Sequence, residues 1–452
     1  VDGEPRSRAP WLFAGGLALG LVAMASAGYA SRAALARAKA AAVPTLSGVG
    51  PALRAEVPRD AVTASSVDEL RGLVADPKGP RTIVLEARRY ELDLVVRRPL
   101  TLLGRPGTTI QGTGHGTVVT IEADDVVLDG LVVRGSGRRH TLEDAAIKAK
   151  GARVRVAHVK VEDSLFGISL QECKACIVEA SHVVGRDDDP SLRGDAIKLW
   201  ESTGSTVRGC LVEDSRDIVV WYSRHVTLED NVVTRSRYGA HFMYAHDSVV
   251  RRSRVVGNVV GVFIMYSSRV LAEDNLLAGA RGAAGMGLGF KDADDVTVRR
   301  NRLVANTVGA YLDSTPRSPG KTLEVSDNVV ALNEVGVRLH GSEKGARFLG
   351  NDFHENVTMV EVDAGGSALG IDFEGNRFSS YEGYDLDGDG YGDVAYLEKA
   401  LSSDLTARHP ALRFFHGTAA MGAIDGISRA VPVMQSKVVL RDGRPRMGRL
   451  AP

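Results

Sequence analysis

The sequence predicts an all-β solenoid, a parallel β-helix of about 12 coils with an N-terminal capping helix and a short helical C-terminal tail. Two ladders of recurring residues and the composition carry that prediction. Aligning on Gly239, Gly261, Gly287, Gly309 and Gly336 puts Ala240, Val262, Leu288, Ala310 and Val337 one residue on. Three residues on stand Phe242, Ile264, Phe290, Leu312 and Leu339. Both sets are apolar, so they point inward. The residues two and four on are mixed, so they point outward; period-two alternation is the mark of a strand. The second ladder sets a small polar residue before an apolar pair, at positions 231, 253, 275, 301, 328, 351 and 376, with steps of 22, 22, 26, 27, 23 and 25. Backwards it continues through Cys210, Ser181, His158 and Gly130. Repeats of this length with no helical segment between them specify stacked coils; a β-sandwich would not keep so constant a step. Stacked asparagines hydrogen-bond along the axis and tolerate the left-handed turn region. The 50 glycines and 6% aromatic content suit tight turns around a narrow aliphatic interior. A net charge of +0 gives no bulk electrostatic case for a nucleic-acid partner.

In chain order, residues 1–30 hold Arg6 and Arg8 and then the uncharged run Trp11–Ala30, which ends in small-x-small patterns. This reads as a signal peptide, or as an uncleaved N-terminal membrane anchor because the run is near spanning length. Either way the body is exported. Residues 31–60 form an Ala/Arg/Pro-rich linker, and 61–380 the β-helix. At its start Ser66 and Glu69 have capping-box spacing. The helix that follows carries Val67, Leu70, Leu73 and Val74 on one face and covers the open end of the solenoid. Strands start at Thr82–Leu85 and Leu100–Gly104.

Residues 381–396 are Asp/Gly-rich. Asp385, Asp387, Asp389 and Asp393 match positions 1, 3, 5 and 9 of a calcium loop, with Gly390 as its position-6 glycine. Tyr396 stands where the bidentate glutamate belongs, so the loop reads as a weak calcium site or as a plain Asp/Gly turn. Residues 397–452 read as a helical tail, with helices across 397–430. Cys173 and Cys176 form a single CxxC, read as two core or turn thiols in preference to a disulfide or metal pair; Cys210 lies on the ladder.

A β-helix often acts on polysaccharides. Asp187, Asp188, Asp189, Asp195 and Lys198 are the candidates for such chemistry, which needs a base and cations beside a sugar carboxylate. Without a compact charged constellation, a lyase, epimerase or carbohydrate-binding protein is the second reading. The outward stripe is the first. It runs Lys198 and Trp200, Val220 and Tyr222, His241 and Met243, Phe263 and Met265, Gly289 and Lys291, Tyr311 and Asp313, Arg338 and His340. Strands are spaced ~4.8 Å apart, so Met243, Met265 and His241 can reach one ion, with His246 and Met286 near by. Thioether plus imidazole suits Cu(I). On sequence alone, an apolar stripe that packs under the tail, or a partner surface of Tyr222, Phe263, Tyr266, Tyr311, Arg338 and His340, ranks above a metal site.

Five stretches carry a resemblance: Tyr238–Tyr244, Gly261–Ser267, Met286–Asp292, Gly309–Ser314 and Tyr381–Gly390. With Ala423–Asp425, Val431–Val433 and Met447, they make residues 60–452 resemble the NosD family of nitrous oxide reductase maturation proteins. The resemblance implies a right-handed parallel β-helix in the periplasm, not an enzyme. Its implied partners are the ATPase and membrane subunits of an ABC transporter, a copper chaperone lipoprotein and nitrous oxide reductase, whose copper–sulfur centre the complex helps to assemble. Membrane association would then come through these partners or the N-terminal anchor. No ligand set is carried over from the family. No GxxxxGK[ST] loop is present, so ATP hydrolysis falls to another subunit.

Overall fold

The computed structural model describes residues 49–51, 56–363, 366–399 and 438–448, with Leu405, 409–415 and Ile424. The expected signal or anchor, most of the linker and most of the tail lie outside the described residues. Three parallel sheets run the length of the stack, with 16, 12 and 13 strands. Each coil adds one strand to each sheet, which is a parallel β-helix. The coil count of about 12 fits the second sheet; the other two extend beyond it at the ends.

The register follows the glycines. Ala240 pairs with Val262, Val262 with Leu288, Leu288 with Ala310 and Ala310 with Val337. The inner column of Phe242, Ile264, Phe290, Leu312 and Leu339 is fully buried, each residue at 0% exposure. Gly261 is required by close approach: a Cβ there would lie 2.1 Å from the carbonyl oxygen of Gly287 in the next coil. At the opposite corner the asparagines bond as a chain. The side-chain oxygens of Asn301, Asn328, Asn351 and Asn376 each accept from both the backbone and side-chain N–H groups of the asparagine one coil earlier. A second chain, from Asn306 through Asn333 to Asn356, runs beside it. The early ladder members are one residue from the expected ones. Val159 and Leu131 occupy the ladder, not His158 and Gly130, as the bonds from His182 N to Val159 O and from Lys160 N to Leu131 O show. Without an asparagine, nothing in those coils distinguishes one neighbour from the next.

The turns between strands use left-handed residues other than glycine, among them Asp214, Asp230, Asp247 and Asp274. Each of these aspartates is gripped by two arms of an arginine one coil on, Arg235, Arg252, Arg269 and Arg300. Such exposed pairs contribute only about 0–1 kcal/mol each, but they repeat along the stack.

The capping helix, α1, spans Val67–Ala75; the Ser66 hydroxyl accepts from Glu69 N at 3.1 Å, and Leu70 and Val74 are buried. At the other end the structure corrects the start of the helical tail. Tyr396–Lys399 is a strand, antiparallel to Val438–Asp442, and the latter joins the first sheet beside Asp372–Glu374. The alternation of Tyr396 inward and Leu397 outward overrides the helix-forming content of that segment. A second unit comprises Val1–Thr45 and Ala400–Lys437; within it Pro410–Phe415 forms a 3-10 turn. Among the described residues, no helix is long and apolar enough to cross a membrane.

Candidate functional site

The stripe lies on the outer face of the second sheet as two columns. One runs Lys198, Val219, His241, Phe263, Gly289, Tyr311, Arg338 and Glu361; the other runs Trp200, Trp221, Met243, Met265, Lys291, Asp313 and His340. One rung departs from expectation: Val219 and Trp221 face outward, not Val220 and Tyr222. Ile218–Trp221 is a continuous apolar run, so alternation could not fix its phase, and Val220 is fully buried. Tyr222 has already turned the corner in the left-handed region, at φ 49°. There it stacks on Tyr244 and Tyr244 on Tyr266, both at 5.0 Å between ring centroids, forming a tyrosine column beside the stripe in which Tyr222 and Tyr244 are exposed and Tyr266 is half-buried.

The soft donors converge on the first column. His241 Nε2 lies 3.2 Å from Met265 Sδ. Two ligand atoms on one tetrahedral ion, with bonds of about 2.0 and 2.3 Å, stand roughly 3.5 Å apart, so this pair is close to chelating distance. Met243 is the direct neighbour of Met265 in the sheet. Tyr238 stacks on the His241 ring at 4.8 Å. Met286 comes to the same patch: its sulfur and the Phe263 ring fill the space over Gly289, where a Cβ would lie 2.6 Å from the sulfur and 2.5 Å from the ring. His246 lies round the corner, on the bridge between Arg224 and Ser268, and its Nδ1 is 2.8 Å from Ser268 Oγ. Burial, reinforced by Arg224 and Arg269, holds its pKa below the ordinary imidazole value. The structure therefore does not place it with the sulfurs.

Carboxylates stand behind the imidazole. Asp217 Oδ2 is 3.5 Å from His241 Nδ1. Asp195 is buried, with Arg216 Nε at 3.7 Å, and burial followed by the Asp217 charge pushes its carboxyl up to about 6 against the pull of Arg216 and Lys198. Lys198 is buried and ion-paired to Glu143, with its ammonium 4.8 Å from the centroid of the Trp200 ring. Asp195 and Lys198 are thus brought together. Asp187 and Asp189 are exposed in the preceding loop, Asp188 is half-buried there, and Asp189 caps the 3-10 turn Pro190–Leu192. Sequence reasoning missed Asp217, because it precedes a strand that has no glycine to align on.

The stripe's charges are paired along the stack: Lys291 to Asp313 at 2.6 Å, Arg338 to Glu361 at 2.9 Å and His340 to Asp363 at 2.8 Å. Between them lie the uncharged side chains of Tyr238, Met243, Phe263, Met265, Met286 and Tyr311, all half-buried, with the Arg237 guanidinium 4.9 Å from the centroid of the Tyr238 ring. Desolvation, with Asp313 next, raises the Tyr311 phenol above its ordinary range, so it stays a neutral donor. The three cysteines are free thiols in the core, and burial pushes the Cys210 thiol up to about 12.

In the Asp/Gly loop, ligand oxygens of Asp385, Asp387 and Asp389 lie within 4.8 Å of one another. They also serve the turn. Asp385 accepts from Gly388 N and Gly390 N, Asp389 accepts from Tyr391 N and from Arg444 Nη2 at 2.6 Å, and Asp393 accepts from Leu386 N.

Residues 177–383, which contain the stripe, match the family model described as "Periplasmic copper-binding protein (NosD)". The chain is 27% identical over 438 residues to a probable ABC transporter binding protein NosD of Pseudomonas aeruginosa, covering 85% of this chain and 92% of that protein. It is 26% identical over 428 residues to the protein of the same description from Stutzerimonas stutzeri, covering 83% and 88%. Among solved structures, the A-module of mannuronan C-5 epimerase AlgE6 from Azotobacter vinelandii aligns over 71% of this chain and 97% of its own, with a TM-score of 0.55 and 12% identity. At that identity the likeness speaks to the fold alone.

Proposed function

We propose that the chain is a NosD-type protein, a family described as periplasmic and copper-binding, and that it assists copper–sulfur centre assembly in nitrous oxide reductase. It would do so from the periplasm, beside the ATPase and membrane subunits of an ABC transporter, as a docking scaffold and a relay for Cu(I). The relatives' description as transporter binding proteins supports the transporter partners. A copper chaperone lipoprotein and the reductase are the partners proposed for the stripe. Membrane association would come through these partners or through the N-terminal segment.

The observation that carries the reading is the 3.2 Å approach of His241 Nε2 to Met265 Sδ, with Met243 adjacent in register. Neutral imidazole and thioether bind Cu(I) without the charge of a thiolate, so the ion is held weakly and can be passed on. The residues that would hold it are His241, Met265, Met243 and Met286. The ion is cargo here: the chain's own residues desolvate it, position it and release it. We propose calcium for the Asp385, Asp387 and Asp389 cluster, where it would brace the loop. Titrating purified protein with Cu(I) against a chromophoric chelator tests the first claim. Binding that falls in Met243→Leu/Met265→Leu supports it, and the absence of any competition by the intact protein refutes it.

A second reading, an enzyme acting on uronate polymers, draws on Asp195, held near pH 6 beside Asp217 and Lys198. It requires turnover of a polyuronate that disappears in Asp195→Asn. We expect none, because Lys198 is committed to Glu143 and Asp195 is nearly closed to solvent.

A further inference from the structure

Asp217 is a buried group beside His241 that the fold itself leaves unexplained. It is 2% exposed, and its Oδ1 has no hydrogen-bond partner. A buried carboxylate oxygen without a partner is costly, on the order of 1–3 kcal/mol or more, so such a group points to a role beyond packing. Its other oxygen faces His241 Nδ1 at 3.5 Å, within charge contact but long for a hydrogen bond. The opposite ring nitrogen is the one that meets Met265 Sδ. The imidazole therefore stands between a carboxylate and a thioether, clamped by Tyr238 stacked on its face.

We propose that Asp217 is the positioning residue of the soft-metal site: it holds the Nδ1 proton of His241, so that the Nε2 lone pair is directed toward Met265 and Met243 to receive Cu(I). Resting on the function proposed above, this adds which tautomer is used and what enforces it. A ligating histidine commonly donates its other N–H to a carboxylate, which fixes the ring and raises its basicity. A cation at Nε2 would strengthen the attraction between the Nδ1–H and the Asp217 carboxylate, which stands 3.5 Å away. Met265 cannot take this part, since a thioether is only a weak acceptor. The nearby cations are engaged elsewhere, Arg216 with Asp195 and Lys198 with Glu143, while Asp195 itself lies close enough to feel the Asp217 charge.

The test compares wild type, Asp217→Ala, Asp217→Asn and His241→Ala as full-length proteins, by Cu(I) competition with a chromophoric chelator and by ¹⁵N NMR of the imidazoles. Asp217→Ala should weaken Cu(I) binding about 10–100-fold and move the His241 ring toward the Nε2–H tautomer. Asp217→Asn keeps an acceptor but loses the charge and should fall between the two. Wild-type affinity in Asp217→Ala, with affinity lost in His241→Ala, would overturn the role of Asp217 and leave the proposed function standing. Should Asp217→Ala fail to fold, unchanged affinity in Asp217→Asn has the same meaning. No Cu(I) binding by wild type overturns the functional reading and this inference with it.

Discussion

Asp442 Oδ2 accepts two hydrogen bonds from Asn376, one from its backbone N–H and one from its side-chain amide, both at 2.9 Å. An aspartate 66 residues away in sequence thus stands where the next asparagine of the ladder would be. The carboxylate, having no N–H to pass on, terminates the chain of bonds. The strand Val438–Asp442 is therefore the last parallel rung of the first sheet, with the antiparallel Tyr396–Lys399 beyond it.

Asp442→Ala leaves two buried N–H groups of Asn376 unpaired, at about 1–3 kcal/mol each. We expect a clear fall in the thermal midpoint and early proteolysis near the C-terminus. Asp442→Asn keeps the acceptor and should lose much less. Equal midpoints for Asp442→Ala and wild type would mean that the ladder ends at Asn376.

How far the sequence revealed the structure depended on markers. Coils with a glycine and an asparagine announced both their phase and their inner column, and His241, Met243 and Met265 were placed on one face. The coil through Ile218–Trp221 has four apolar residues in a row, so its phase was one residue out, and Asp217 was hidden with it. The tyrosine column of 222, 244 and 266 was legible only in part, because its members sit in left-handed corner positions that no strand period describes. Residues 397–399 read as the start of a helix because the strand they pair with, Val438–Asp442, lies far along the chain.

Asp195 titrates against folding. Its folded pKa, about 6, lies above its ordinary value of 3.8. The folded state thus holds the proton more tightly. The group's full stability is present below pH 3.8 and is lost as pH rises through 6. Asp195→Asn removes that loss. Relative to wild type, the variant should gain stability between about pH 4 and 6 and stay ahead at about pH 7.5, by at most about 3 kcal/mol. Denaturant midpoints at those three pH values measure this; a gap independent of pH would show that Asp195 is charged normally.

The Asp/Gly loop separates its two roles by response to calcium. With a cation bound, millimolar calcium raises the thermal midpoint and Asp387→Ala abolishes the rise, since Asp387 makes only one bond to the turn, from Asp389 N at 3.2 Å. Asp385→Ala should destabilise the loop with or without calcium, because it anchors Gly388 N and Gly390 N. A midpoint that ignores calcium in wild type leaves the turn alone as the loop's purpose.

Gly289 gives a steric test of the patch. Adding one methyl group there drives it into the Phe263 ring and the Met286 sulfur. Gly289→Ala should displace both outward, cost about 1–3 kcal/mol and weaken Cu(I) binding if Met286 contributes. Unchanged Cu(I) affinity with the expected loss of stability would remove Met286 from the ligand set without touching His241 and Met265.

The stripe must distinguish copper contact from docking. Met243→Leu with Met265→Leu keeps volume and apolarity but removes both sulfurs, so the fold should hold within about 1.5 kcal/mol per site. We expect reductase maturation to fall sharply while partner binding persists. Full maturation in that double mutant would exclude copper contact here and leave docking. Docking relies on a different property, an uncharged aromatic and thioether centre ringed by paired charges such as Lys291–Asp313 and Arg338–Glu361. A charge at Phe263 or Tyr311 would be buried without a partner in that interface, and Phe263→Glu or Tyr311→Glu should abolish partner binding through loss at the centre, whereas changes at the rim should weaken it little. Intact binding and maturation in both glutamate variants would show that partners dock elsewhere, and the column of Tyr222, Tyr244 and Tyr266 would be the next surface to probe.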